Sequence, residues 1–291
     1  MERIKSLIPE YNIIQRIGRG AMGVVYLAEK NNELYAIKIV TTQHEKEINN
    51  EIKILKYLSQ SCRPNILCLK DCYSTLDGLP CKKIPKLSAY FNTYIIITNY
   101  VANNLLDYVK FRYYEIIDLN LDIEIYYQEL YKIFYQMAVA VKEIHDLGIV
   151  HNDIKPENFL YENGYVVLAD FGFSCPITQE LADELKLEVC ISSPGGTILA
   201  PQIFKKYIDL KKSDIYALGC SFFYLLYFED VISEDNDYFE WYNFKYHLDK
   251  LKGDKHINDV VEVLILSMTN PNPNLRPVDS EIVDTLHSVI I

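Results

Sequence analysis

The sequence predicts an α+β chain of two lobes: a small, β-rich N-terminal lobe with one helix and a larger, mainly helical C-terminal lobe, with a cleft between them near Asn99 to Asn104. Three observations carry that prediction. Segments rich in β-branched and aromatic residues crowd positions 11–40 and return at 67–73 and 94–101. From Asn103 onward the apolar residues recur at helical spacing instead. The 291 residues, 49% of them hydrophobic, suit one large domain or two small ones. A chain of that size buries about 75% of the surface its unfolded form exposes.

Taken in order, Tyr11 to Ile17, Val24 to Glu29 and Leu34 to Val40 read as three strands, the last two joined at the Asn31-Asn32 turn. Glu45 to Leu58 places Ile48, Ile52, Leu55 and Leu58 on one stripe and predicts an amphipathic helix. Leu67 to Tyr73 and Tyr94 to Val101 read as two further strands. Ser74 to Thr93, with Gly78, Pro80 and Pro85 and no periodicity, reads as a loop insertion. Asp122 to His145 carries a stripe of Tyr131, Phe134, Tyr135, Ala138, Val141 and His145. A second helix, Ile215 to Tyr227, follows Asp214. The long stretch Gly148 to Pro201 between these helices reads as functional loop rather than passive connection. No repeat or linker separates the lobes.

Composition excludes several classes. With 29 Lys+Arg against 40 Asp+Glu the net charge is −11, which argues against a nucleic-acid partner. The longest apolar run, Ala217 to Phe228, is far short of the roughly 20 residues that span a bilayer. No membrane partner is expected, and the charged start Met1 to Pro9 reads as no signal peptide. The seven cysteines, scattered and never spaced Cys-x-x-Cys, read as reduced and hence intracellular, cytoplasmic by expectation.

Three groups of residues carry chemistry. Gly18-Arg19-Gly20-Ala21-Met22-Gly23 lets backbone N–H groups approach phosphates, and the strand-like Val24-Val25-Tyr26-Leu27 after it makes the loop a hairpin tip rather than the start of a helix. A glycine-containing hairpin with no ligand has the same pattern. Lys38, in a strand, could be a solvated edge residue, but Glu51 on the following helix could hold its ammonium at a nucleotide's α and β phosphates; Glu47 is the rival partner. Most specific is the run from Val150 to Asn158 followed by Val166 to Gly172. Asp153 can accept a hydroxyl proton, Lys155 can neutralise a moving phosphoryl group, and Asn158 with Asp170 supply hard oxygen donors for magnesium. Single Asp or Asn residues in turns are caps more often than ligands, but an ordered set of this kind is not explained that way.

In that order the motifs resemble the eukaryotic-type protein kinase catalytic domain, on its serine/threonine branch, over a core of about residues 11–287 of a single domain 1–291. The resemblance implies an N-lobe of about 11–98, a hinge of about 99–104 and a C-lobe of about 105–287, with the insertion at 74–93. It implies ATP and Mg2+ as cofactors and phosphoryl transfer to Ser/Thr hydroxyls of protein substrates, Lys155 being the mark of that branch. Asp153 and Lys155 would be catalytic, and Asn158 and Asp170 would bind metal. Gly18, Gly20, Gly23 and Ile17 would cover ATP, Lys38 would pair with Glu51, and Val25, Ala36 and Leu160 would sandwich the adenine. Thr98 would be the gatekeeper, with Asn99 and Val101 in the hinge. Asp214 would bond the catalytic-loop backbone, although a plain helix N-cap satisfies the same residues.

The chain departs from the family pattern at three points. Asn152 stands where many members have Arg, Gln202 stands where Glu is usual and leaves Arg276 a neutral partner, and Thr197 to Ala200 is short. A pseudokinase scaffold is the alternative that Gln202 and the short segment favour. The acidic residues Glu229, Asp230, Glu234, Asp235, Asp237 and Glu240 read first as a solvated acidic loop, and basic peptide substrates are the functional reading of the same charges.

Overall fold

Lys30 pairs with Glu33 across Asn31 and Asn32, both in the left-handed region at φ 54° and 63°, which is the backbone a two-residue hairpin turn requires. That turn joins β2 (Gly23–Lys30) to β3 (Glu33–Thr42), and β1 (Asn12–Gly20) runs antiparallel along β2. The computed structural model describes residues 2–20, 23–43, 45–88, 91–190, 209–228 and 255–291. They fall into two units, 1–102 with 170–172, and 103–169 with 173–291.

In the first unit, β4 (Leu69–Ser74), β5 (Lys82–Lys83) and β6 (Asn92–Asn99) complete a sheet of order β1-β2-β3-β6-β4-β5. Strand alternation sends Ile37, Ile39, Ile95 and Ile97 to one face, where they bury against Ile8, Tyr11 and Ile13. Ile8 follows a one-turn helix, α1 (Glu2–Lys5), and lies ahead of the core predicted from the sequence. The opposite register carries Lys38, across from Val25 and Ile96, and Ala36, across from Thr98. Helix α2 (Lys46–Leu58) buries the predicted stripe Ile48, Ile52, Leu55 and Leu58. The 74–93 segment is more than loop: β5 pairs parallel with β4, and Ile84 enters the core.

The second unit begins with β7 (Asn103–Asn104) and α3 (Leu105–Asp118), capped by Asn104, whose side chain accepts from the Leu106 and Asp107 amides. Helix α4 (Ile123–Asp146) buries Tyr131, Phe134, Ala138, Val141 and His145, with Asp122 as its N-cap. After β8 (Ile149–Val150) come β9 (Phe159–Glu162) and β10 (Tyr165–Leu168), a hairpin flanked by β7, then β11 (Cys175–Pro176) against β8 and α5 (Gln179–Leu185). Phe134 stacks on Phe222 of α6 (Leu210–Tyr227), ring centres 4.2 Å apart. Helices α7 (Lys255–Met268) and α8 (Asp279–Ile290) pack beside them.

Two expectations are corrected. Helix α6 starts at Leu210, with Asp209 as its cap, so Asp214 lies inside the helix and is no N-cap. The cysteines are not all reduced: Cys62–Cys68, Cys72–Cys81 and Cys175–Cys190 are joined, at Cα separations of 5.7, 4.8 and 5.6 Å, inside the disulfide range. Each pair is closed by a local turn or excursion that no spacing rule announces, and the odd residue, Cys220, is buried in α6. Paired cysteines of this kind give no ground for a reducing compartment. Among the described residues no helix is long and apolar enough to cross a membrane.

Candidate active site

In the first unit the Lys38 Nζ donates to both carboxylate oxygens of Glu51 at 2.8 Å. The partner is therefore Glu51 and not Glu47. Glu51 is 4% exposed, the single charged residue on the buried stripe of α2, and its position one turn before Leu55 aims it at β3. Burial opposes the Lys38 charge, but the Glu51 and Asp170 carboxylates outweigh it and hold the ammonium above its ordinary value. Asp170 is exposed, with its backbone left-handed at φ 59°. Behind it the Gly172 carbonyl accepts from Asn50 of α2 at 3.2 Å. Thr98 is buried, Val25 and Ala36 half-buried, and Ile17 and Asn99 exposed.

Gly18 pairs with Val25 and Gly20 with Gly23 at the β1–β2 hairpin. At Gly23 a Cβ would stand 2.3 Å from the Ile39 carbonyl oxygen, so glycine is required there by strand packing whether or not a phosphate lies above. Ala21 and Met22 lie outside the described residues.

In the second unit the groups converge on Asp153, itself 5% exposed. Lys155 Nζ lies 2.9 Å from its Oδ2, and the Asn158 Nδ2 donates to the same oxygen at 2.9 Å and to the Asp153 carbonyl at 2.7 Å. A short 3-10 turn, Pro156–Asn158, brings Asn158 back toward Asp153, and the Ala169 amide donates to the Asn158 carbonyl at 2.8 Å. His151 is fully buried with Nε2 2.9 Å from the Ala169 carbonyl, while its Nδ1 accepts from the Asp153 amide at 3.3 Å. Leu160 is half-buried in β9 and pairs with Asn104.

Asp214 holds this loop from beneath. Its Oδ2 accepts from the His151 amide at 2.7 Å and its Oδ1 from the Asn152 amide at 2.9 Å. The same Oδ2 lies 3.1 Å from His145 Nε2, and His145 Nδ1 lies 2.9 Å from Asp279. With a carboxylate at each nitrogen the buried ring is an imidazolium: burial alone would lower its pKa, but the two aspartates lift it to about 9.

A sequence model described as "Protein kinase domain" matches residues 11–287. The chain belongs to the protein kinase family, on its serine/threonine branch. It is 30% identical over 236 residues to a calcium/calmodulin-dependent protein kinase type I of Schizosaccharomyces pombe, covering 76% of this chain and 61% of that protein. It is 28% identical over 229 residues to myosin light chain kinase A of Dictyostelium discoideum, covering 74% and 66%. It is 25% identical over 243 residues to the serine/threonine-protein kinase nekl-2 of Caenorhabditis elegans, covering 78% and 60%. The chain thus spans less than two thirds of the length of each of these kinases.

Sequence reasoning did not find the His145–Asp279 contact, since His145 reads there only as the end of an apolar stripe. Nor did it find Asn104, whose Nδ2 donates to the Glu157 carbonyl at 2.8 Å and ties α3 to the catalytic loop. The acidic residues 229–240, the short segment Thr197 to Ala200 and Gln202 lie outside the described residues. Arg276 is buried, its Nε and Nη1 donating to the Asn270 and Lys212 carbonyls at 2.7 Å each, and among the described residues its Nη2 has no partner. Burial drops its pKa to about 10.

Proposed function

We propose that this kinase domain transfers the γ-phosphoryl group of ATP, with magnesium, to Ser/Thr hydroxyls of protein substrates. The observation that carries the reading is the convergence of Lys155 and Asn158 on one carboxylate oxygen of Asp153, both at 2.9 Å. A carboxylate so held is fixed in direction and can accept a hydroxyl proton, and Lys155 beside it can neutralise charge on the group in transit. Lys38, kept charged by Glu51 and Asp170, is suited to nucleotide phosphates. The donor set fits magnesium: Asn158 commits its Nδ2 to Asp153 and so would meet a cation with its amide oxygen, and Asp170 adds an exposed carboxylate. Bound ATP supplies the phosphoryl group, and magnesium neutralises its developing charge.

Val25, Ala36 and Leu160 would pack on the adenine, Asn99 and Val101 would read its edge, and Gly18, Gly20 and Ile17 would cover the phosphates. The test is transfer of radiolabel from γ-labelled ATP to generic protein substrates. Asp153→Asn should cost roughly 10²- to 10⁴-fold. Equal rates in the two proteins would end the reading.

A further inference from the structure

Cys175 and Cys190 bracket the α5 excursion, and both are half-buried, within reach of a small thiol. Their Cα atoms stand 5.6 Å apart, and the Cys190 amide donates to the Pro176 carbonyl at 3.1 Å. Cys175 pairs across β11 and β8 with Val150, one residue before His151. From the catalytic loop the Asn152 Nδ2 points at this pair, 3.0 Å from the Cys175 sulfur, 3.7 Å from the Cys190 sulfur and 3.1 Å from the Phe173 carbonyl. Asn152 sits between His151 and Asp153 in the left-handed region at φ 64°. Its side chain thus couples the state of the two sulfurs to the residue before the proposed base.

We propose that Cys175–Cys190 is a reversible redox switch of this kinase domain, with the joined state the competent one. The other two pairs differ from it in kind. Cys62, Cys68 and Cys72 lie against the carbonyl oxygens of Ser59, Leu69 and Pro80, at 3.9, 3.9 and 3.4 Å, which disfavour a thiolate. An amide N–H aimed at sulfur favours one, and the thiolate is the species that exchanges. Cys220 takes no part, since burial pushes its thiol up to about 12.

The reagents are a low-molecular-weight thiol and its disulfide. One cysteine thiolate attacks the small disulfide, forming a mixed disulfide and releasing one small thiolate. The other cysteine, deprotonated, displaces the second. Two electrons pass from the cysteines to the reagent, two protons end on the two released thiols, and the sulfur–sulfur bond of the reagent is replaced by that of the protein. The joined state is competent because in it the Lys38–Glu51 pair and the Asp153 cluster are both formed. On reduction, Asn152 faces two separate thiols instead of one bridge, and the 177–189 excursion loses the covalent link that closes its base.

The experiment equilibrates the whole chain in stepped ratios of reduced to oxidised glutathione, alkylates free thiols, maps linked peptides by mass spectrometry and assays the same samples for phosphoryl transfer. The expected result is a two-electron transition in the peptide pair holding Cys175 and Cys190, with activity following it. Reduction should lower the rate on the order of 10- to 100-fold, the loss that a misplacement of about an ångström causes. Cys190→Ser should hold the reduced level in every buffer. Absence of that linkage at all ratios, or activity that ignores it, or an unchanged response in Cys190→Ser, would overturn the proposal. The activity arm rests on the kinase reading. Should no sample phosphorylate, hydrogen exchange of the Asn152 and Asp153 amides decides instead: faster exchange on reduction supports the switch, and equal exchange overturns it.

Discussion

Lys38 and Glu51 show what a single buried pair commits a residue to. Lys38→Met removes a cation needed at phosphate, and it also leaves a carboxylate that is 4% exposed without its counter-ion. Breaking a buried pair from one side costs up to about 3–5 kcal/mol, less here because the Lys38 side chain is partly exposed. The variant should therefore lose both transfer and stability, and the double variant Lys38→Met/Glu51→Gln should recover most of the stability without recovering transfer. Urea midpoints of the three proteins measure this, and equal midpoints for the single and double variants would contradict it. The pair was legible in the sequence because only Glu51 of the two candidates shares the helix face of Leu55. Gly23 was legible as a type but not as a cause, since no sequence shows that the Ile39 carbonyl lies where its Cβ would be.

At the scale of elements, sequence pattern found the strands and helices that have one apolar face, and it failed where burial is complete or where a polar residue has two possible uses. Helix α6 is buried on nearly all sides, so it has no polar stripe to phase it, and Asp214 offered a plausible cap five residues past the true one, Asp209. Its carboxylate instead bonds two loop amides, a use that depends on α6 passing beneath His151 and Asn152. Complete burial also explains Gly219. A Cβ there would stand 2.8 Å from the Met268 Cβ and 2.9 Å from the Thr269 Cγ2, and a Cβ cannot rotate away as a chain end can. In an exposed helix Gly→Ala gains about 1 kcal/mol. Gly219→Ala should do the reverse, losing about 1–3 kcal/mol as α6 and α7 are forced apart. A chemical-denaturation midpoint higher than that of the unaltered protein would show that the two helices have room.

Across the whole molecule, stability should carry the signature of the His145 tie, which joins α4 through Asp214 to α6 and through Asp279 to α8. The paired cysteines escaped the sequence reading because their partners are set by loop closure. This tie escaped it because Asp279 lies so far along the chain from His145. The groups around it are the Asp214 and Asp279 carboxylates in direct contact, with Lys142 and Lys211 nearer to Asp279. His145 is raised to about 9 in the folded chain against an ordinary value of about 6.5, so its contribution is complete below about pH 6.5 and is lost as pH rises through 9. Between those limits the unfolded chain binds one proton fewer than the folded one. Stability should then fall with pH by up to about 1.4 kcal/mol per unit from this group. Asp279, held below its ordinary value by His145 despite burial, adds the opposite limb in acid: its share is present above its unfolded pKa and is lost as pH falls through the lowered one. Denaturation midpoints at pH 7, 8 and 9 should decline in the unaltered protein and lie nearly flat in His145→Gln. The slope rather than the level is the readout, because the variant loses stability at every pH. If His145→Gln does not fold, the His145 ring followed by NMR in the unaltered protein serves instead, and a ring that titrates near 6.5 would show that the two aspartates do not hold it as an imidazolium.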